Sequence, residues 1–264
     1  MIKVDKDLSD IPDILTPHPS NGVSRKGVFE ANIKAGAYID GKNSYRVESV
    51  RKKLEKIYHL KCAYCETSLL DAPRHIEHYR PKDIYYWLAY SWDNLLLACH
   101  KCNSIKGSKF PVKNSRAKYC GESFEDIHNL GESYDRLEEP LIINPEKEDV
   151  LELIYFDKNG KIYSDDERVK YTIESACRLN RHELLQKRAS LINDFNNIIK
   201  EHYFLYVKNS DITRFIPDIK KFILDCKKEK DFYALRYYVI NNSDIFFENK
   251  PLQVIVKRLF KKFS

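Results

Sequence analysis

The sequence predicts an α+β fold, mainly helical, on three observations. Two Cys-x-x-Cys pairs bracket a polar and then an apolar stretch, a strand–Asn-Gly–strand pattern follows near residue 155, and the chain from Tyr171 onward repeats apolar residues at helical spacing. A chain of 264 residues with 43% hydrophobic content can bury a sizeable core, which excludes disorder throughout.

Residues 1–46 hold Pro, Ser and Gly clusters around "TPHPSNG" and no sustained period, so they predict an irregular arm packed on the core or on a partner. Residues 47–118 form the next unit. Its first element is a helix, because Val47, Val50, Leu54, Ile57 and Tyr58 recur at spacings of three and four. Arg51, Lys52, Lys53 and Lys56 then read as its solvated face. After the first cysteine pair come the polar "HIEHYRPK", the aromatic "YYWLAYSWD" and the apolar "NLLLA", which reads as a strand entering the second pair.

Residues 119–168 are acidic. "GESFEDIHNLGESYDRLEEP" reads as loop and short helix, and "LELIYFDKNGKIYS" as a hairpin whose Asn159 and Gly160 supply positive φ angles. Residues 169–264 read as helices. Asn180 and Glu183 stand at capping-box spacing, and Leu184, Leu191, Phe195, Ile198 and Tyr203 form a stripe. Pro217 and Pro251 suit first turns, and "PLQVIVKRLFKKF" is a basic amphipathic helix that caps the fold or touches a partner.

"MIKVDKDLSDIPDILTP" lacks an apolar run of signal-peptide length, and no later segment approaches a membrane span, so a soluble cytoplasmic protein is expected. Residues 51–118 carry 14 basic and 6 acidic side chains, whereas residues 119–168 carry 5 and 15. Positive charge around the cysteine motifs suits a bound polyanion, and an ordinary solvated surface would look the same.

Cys62, Cys65, Cys99 and Cys102 form two knuckles separated by 33 residues. Four thiolates so paired satisfy the tetrahedral preference of Zn²⁺, so a structural zinc is expected. The isolated Cys120, Cys177 and Cys226 read as small buried hydrophobes. The spacer is longer than simple zinc ribbons need, which marks an inserted functional element between the knuckles.

Read in order over residues 62–106, "EH", "WDNL" and "CxxCNxxK" resemble the HNH endonuclease family of ββα-metal nucleases. The resemblance implies a zinc-stabilised ββα-metal core. It makes His78 the general base, Glu77 and Asn103 the ligands of a catalytic Mg²⁺ or Mn²⁺, Asn94 the residue that ties the loop between the strands, and Lys106 a group near the phosphates. Phosphodiester hydrolysis needs a nucleophilic water, a base with a pKa near neutrality and a charge to stabilise the departing oxygen, and a histidine with a hard cation held by oxygens supplies the last two. Arg80 and Lys82 are phosphate-contact candidates. His75 either assists the ion or the phosphate, or is a surface histidine or one that supports the site from behind, and His100 reads as an exposed knuckle residue.

A narrower resemblance, carried by "YCE…HIEHYRPK", "LIINP", "FDKNGKIY" and "TIESACRLNRHELLQKR", is to the HNH nucleases of Septu-type and retron-associated anti-phage defence systems. It implies an ATPase partner encoded nearby, nucleic acid as substrate (DNA or RNA), and no membrane. A zinc module that binds nucleic acid or protein without cutting, and a stand-alone restriction-type HNH nuclease, are the alternatives.

Overall fold

The computed structural model describes residue 1, residues 3–41 and residues 44–264. Ile2, Lys42 and Asn43 of the expected arm lie outside the described residues. The rest of the arm is more ordered than its composition implies. Lys26–Ala35 forms helix α1, which buries Phe29 and Asn32 and ends at Gly36 with a left-handed φ of 63°. With only two buried positions in ten residues, its period is too weak to read. Further toward the N-terminus, buried Lys6 pairs with Glu146 at 2.8 Å and donates to the carbonyls of Trp92 and Leu95. The arm is therefore fastened to the core by polar contacts.

Helix α2, Glu48–Ile57, buries Val50 and Leu54 and delivers the chain to the first knuckle. Strand β1, Arg74–His78, pairs antiparallel with β2, Leu95–Cys99, in a register that sets Ile76 opposite Leu97 and His78 opposite Leu95. Helix α3, His100–Lys106, follows β2 without a linker. Leu95, Leu96, Leu97 and Ala98 are all inaccessible to solvent, so β2 is a fully buried strand, as a continuous apolar run implies.

Helix α4, Gly131–Glu138, lies in the acidic region. Strands β3, Tyr155–Phe156, and β4, Ile162–Tyr163, form the expected hairpin. Its turn differs from the Asn-Gly expectation: Gly160, at φ 73°, has positive φ and Asn159 does not. Asp157 organises the turn instead, its side chain accepting from the amides of Asn159 and Lys161. A β-carbon on Gly160 would stand 2.7 Å from Cβ of Arg188, so the turn also rests on the helix behind it.

Short helix α5, Glu167–Tyr171, leads through a π-helical turn, Thr172–Ala176, to the 28-residue α6, His182–Asn209. The expected capping box is absent. Asn180 turns away from the helix and clamps β4, accepting from the Ile162 amide at 2.9 Å and donating to its carbonyl at 2.8 Å. The stripe is also displaced, since Ile192 and Ile199 are buried with Leu184 and Phe195 while Ile198 is exposed. Helices α7 (Phe215–Leu224), α8 (Tyr233–Asn241), α9 (Ser243–Phe246) and α10 (Lys250–Phe263) complete the fold. Phe195, Phe222 and Phe260 pack ring on ring at their centre. Pro217 and Pro251 fall in the first turns of α7 and α10. Of the three isolated cysteines, Cys177 is buried and Cys226 partly so; Cys120 is exposed, against expectation. Among the described residues, no helix is long and apolar enough to cross a membrane.

Candidate active site and metal centre

The knuckles close on one point. The sulfurs of Cys62, Cys65, Cys99 and Cys102 all lie within 4.8 Å of one another, and those of Cys65 and Cys99 are 3.8 Å apart. With a Zn–S bond of about 2.3 Å, the edge of a ZnS₄ tetrahedron is about 3.8 Å, so the donor set fits zinc in type and spacing. The first knuckle is held against β2 by the Ala63 amide donating to the Leu97 carbonyl, and it turns at Glu66, whose φ is 62°. In the second, the Cys102 amide donates to Cys99 Sγ at 3.3 Å, so a thiol of the cluster caps the start of α3. Arg181 reaches across from the start of α6, with a guanidinium nitrogen 3.6 Å from Cys102 Sγ and 3.9 Å from Cys99 Sγ. A cation there offsets the negative charge of a four-thiolate site and ties the knuckles to the C-terminal helices.

A second group of candidate residues lines a cleft along β1. This cleft, of about 400 Å³, is lined by Glu77, His78 and Asn103 together with His75, Tyr45 and Arg46. The His78 ring is buried, and its Nε2 sits 3.0 Å from the Ala89 carbonyl. A carbonyl only accepts, so Nε2 carries the proton and Nδ1 keeps its lone pair. Burial holds the imidazole down, to about 3, so it is neutral at physiological pH, with a value below the near-neutral one expected of a general base. Tyr45 packs edge-on against this ring at 4.3 Å between centroids.

Glu77 is 4% exposed, and burial pushes its carboxyl above the ordinary carboxylate range against the pull of Lys106. Its Oε1 lies 2.6 Å from Lys106 Nζ, yet among the described residues no donor is aligned on that oxygen as a hydrogen bond requires. The contact is a close ion pair with a lone pair left over. A buried carboxylate oxygen short of a directed partner, beside the Asn103 amide on the same cleft wall, is the donor set a hard divalent cation takes. Asn103 Nδ2 is 3.4 Å from His75 Nδ1, an arrangement that leaves the amide oxygen for another partner. His75 itself packs against exposed His100, with ring centroids 5.1 Å apart.

Glu77, His78 and Asn103 therefore meet in one cleft, with His75 beside them. Asn94 lies beneath it: its Oδ1 accepts from the Arg80 amide at 2.7 Å and its Nδ2 donates to the carbonyls of Arg80 and Leu88, which fixes the loop between the strands. Two of the expected phosphate contacts face inward. Lys106 is 0% exposed and bound to Glu77 and to the His78 carbonyl at 2.6 Å, so it braces β1. Arg80 is buried between Glu138 at 2.8 Å and Asp135 at 2.6 Å, which also accounts for part of the acidic region next to the basic core. Lys82 does line the cleft, paired with Asp83. Tyr45, Arg46 and Arg74, also on the cleft walls, were not expected there from sequence. Nothing in the arm's composition marks Tyr45 or Arg46, because only the fold returns that segment to β1.

The comparisons with known proteins agree with this geometry. The HNH endonuclease family matches residues 62–109, the segment from the first knuckle to just past α3. Over 289 aligned residues the chain is 29% identical to the Septu protein PtuB of Bacillus mycoides (strain KBAB4), covering 100% of this chain and 90% of that protein. It is 23% identical over 217 residues to the Septu protein PtuA of the same strain, a match that takes in 76% of this chain and 28% of that longer protein. A third match, 32% identical over 91 residues, is to the Septu protein PtuB of Bacillus thuringiensis and covers 32% of this chain and 35% of that protein.

Proposed function

We propose that this chain, an HNH endonuclease of the Septu type, hydrolyses nucleic-acid phosphodiester bonds with a divalent metal ion, as the cutting subunit of an anti-phage defence complex in the cytoplasm. The observation that carries the reading is the meeting of Glu77, His78 and Asn103 in one cleft with the proton of His78 fixed on Nε2.

Neutral His78 takes a proton on Nδ1 from a water in the cleft as that water's oxygen bonds to phosphorus and the P–O ester bond breaks. The Ala89 carbonyl holds the ring in the productive tautomer and stabilises the imidazolium that forms. Glu77 and Asn103 would hold Mg²⁺ or Mn²⁺, which supplies the positive charge that a departing oxyanion needs. Lys106 braces Glu77 and the β1 backbone behind it. Zinc in the four-cysteine centre is structural, since four protein ligands leave no open position for substrate.

DNA is the favoured substrate, with RNA the competing one, because both present the phosphates that a basic cleft engages. An ATPase acts beside the nuclease. In support, the chain is similar both to a PtuB along nearly its whole length and to part of a longer PtuA, so the same module occurs alone and within a larger protein.

The test is cleavage of labelled duplex DNA, single-stranded DNA and RNA by the zinc-loaded protein, alone and with the product of the neighbouring gene. Cutting that needs Mg²⁺ or Mn²⁺ and stops in chelator is expected. Absence of cutting in every combination, or cutting that persists without a divalent ion, overturns the proposal.

A further inference from the structure

Four cations reach the cleft walls from outside the buried core: Arg46, Arg51, Arg74 and Lys82. Three of them already have a carboxylate. Arg51 pairs with Glu48, Arg74 with Glu55 at 3.0 Å and Lys82 with Asp83 at 2.9 Å. A phosphate would have to displace or share those partners. Arg46 differs: among the described residues it makes no ion pair, and its Nε donates to the Tyr45 hydroxyl at 3.2 Å while its guanidinium lies over the Tyr45 ring. Tyr45 in turn is 3% exposed and packed edge-on against His78. The arm thus places an exposed, unpaired guanidinium two ring contacts from the catalytic imidazole and holds it by one nitrogen, leaving the other two free to make a paired contact with an anion.

On the reading that the cleft takes nucleic acid, we propose that Arg46 grips a substrate phosphate at the cleft and that the Tyr45 hydroxyl orients it there. The chemistry suits it. Guanidinium is always charged, and its fork matches two phosphate oxygens. Binding costs no internal salt bridge, so each Arg46–phosphate contact adds its full share of counterion release. A residue of the N-terminal arm then becomes part of the active site, and the arm closes one wall of it.

The experiment measures binding of a fluorescent duplex and of a single strand across a salt series, with all variants on a His78→Ala background so that nothing is cut. Arg46→Ala is exposed and folds; it should weaken binding about tenfold and lower the slope of log affinity against log salt by about 0.9 on duplex or about 0.7 on a single strand. Arg46→Lys should keep the slope but recover only part of the affinity. Tyr45→Phe keeps the buried ring and loses only the hydroxyl, and should weaken binding about threefold at unchanged slope. Arg51→Ala removes a cation already paired, and should alter the slope less than half as much as Arg46→Ala. Parent protein that binds both probes, with Arg46→Ala matching its affinity and slope, overturns the Arg46 proposal and leaves the nuclease reading standing. Parent protein that binds neither probe overturns both.

Discussion

Lys106→Met removes the ammonium that faces Glu77 inside the core. Both partners are buried, with the Lys106 side chain 0% and the Glu77 side chain 5% exposed, and Nζ lies 2.6 Å from Glu77 Oε1 and 2.6 Å from the His78 carbonyl. Methionine fills the volume of the stem, so the loss is electrostatic and not a cavity. Stranding one member of a buried pair costs roughly 3–5 kcal/mol. For a chain of this size that is a fall of roughly 6–20 °C in the thermal midpoint, at about 2–4 °C per kcal/mol. Urea unfolding of the zinc-loaded protein reads the free energy directly. Glu77→Gln with Lys106→Met removes both charges and should regain most of the loss, and millimolar Mg²⁺ should stabilise Lys106→Met more than the parent, because the ion neutralises the carboxylate left alone. If Lys106→Met costs less than about 1 kcal/mol, or if the double variant is no more stable than the single, Lys106 is not the internal counter-charge of Glu77.

Three further outcomes are expected. His128 accepts from the Trp92 amide on Nδ1 and donates from Nε2 to the Leu15 carbonyl, and burial lowers it from its ordinary 6.5 to about 4. A depressed histidine contributes fully above its unfolded value and loses that contribution as pH falls below it; acid unfolding of the parent should therefore lose about 2 kcal/mol more than that of His128→Phe between about pH 7.5 and about pH 5, and parallel profiles would refute it. Gly160→Ala meets Cβ of Arg188 at 2.7 Å with φ at 73°, so urea unfolding should show a loss of roughly 2–4 kcal/mol, and a neutral result would mean that the hairpin does not rest on α6. Elemental analysis should find one zinc per chain in the parent and in Cys120→Ser, whose thiol is exposed, but none in Cys99→Ser. Equal zinc in both serine variants would remove the four-cysteine centre.

Where a residue type and its spacing dictate the chemistry, the site could be read before the fold. Two Cys-x-x-Cys pairs can converge on one ion at any loop length, and the Glu77-His78 dipeptide with Asn103 directly after Cys102 is a local pattern that the ββα unit brings together. Charge misled. Arg80 and Lys106 are as basic in sequence as Arg46, but burial, which depends on what the fold packs over a side chain, turned the first two into internal struts. Asn180 is similar: its spacing to Glu183 satisfies a helix cap, yet β4 offers both an amide and a carbonyl that a cap cannot. The weakest reading was of the arm. Its helix buries only two residues, and its contribution to the cleft depends on a return across the core that no periodicity encodes.

The claim that one segment holds two separate centres, zinc for the fold and a divalent ion for the chemistry, is tested most directly by pairing cleavage with metal content in His78→Ala. The variant should keep one zinc per chain and its thermal midpoint within a few degrees of the parent while its Mg²⁺-dependent cleavage falls by at least about 10²-fold, the scale of a lost general base. Cleavage equal to the parent's, at the same zinc content, would contradict it.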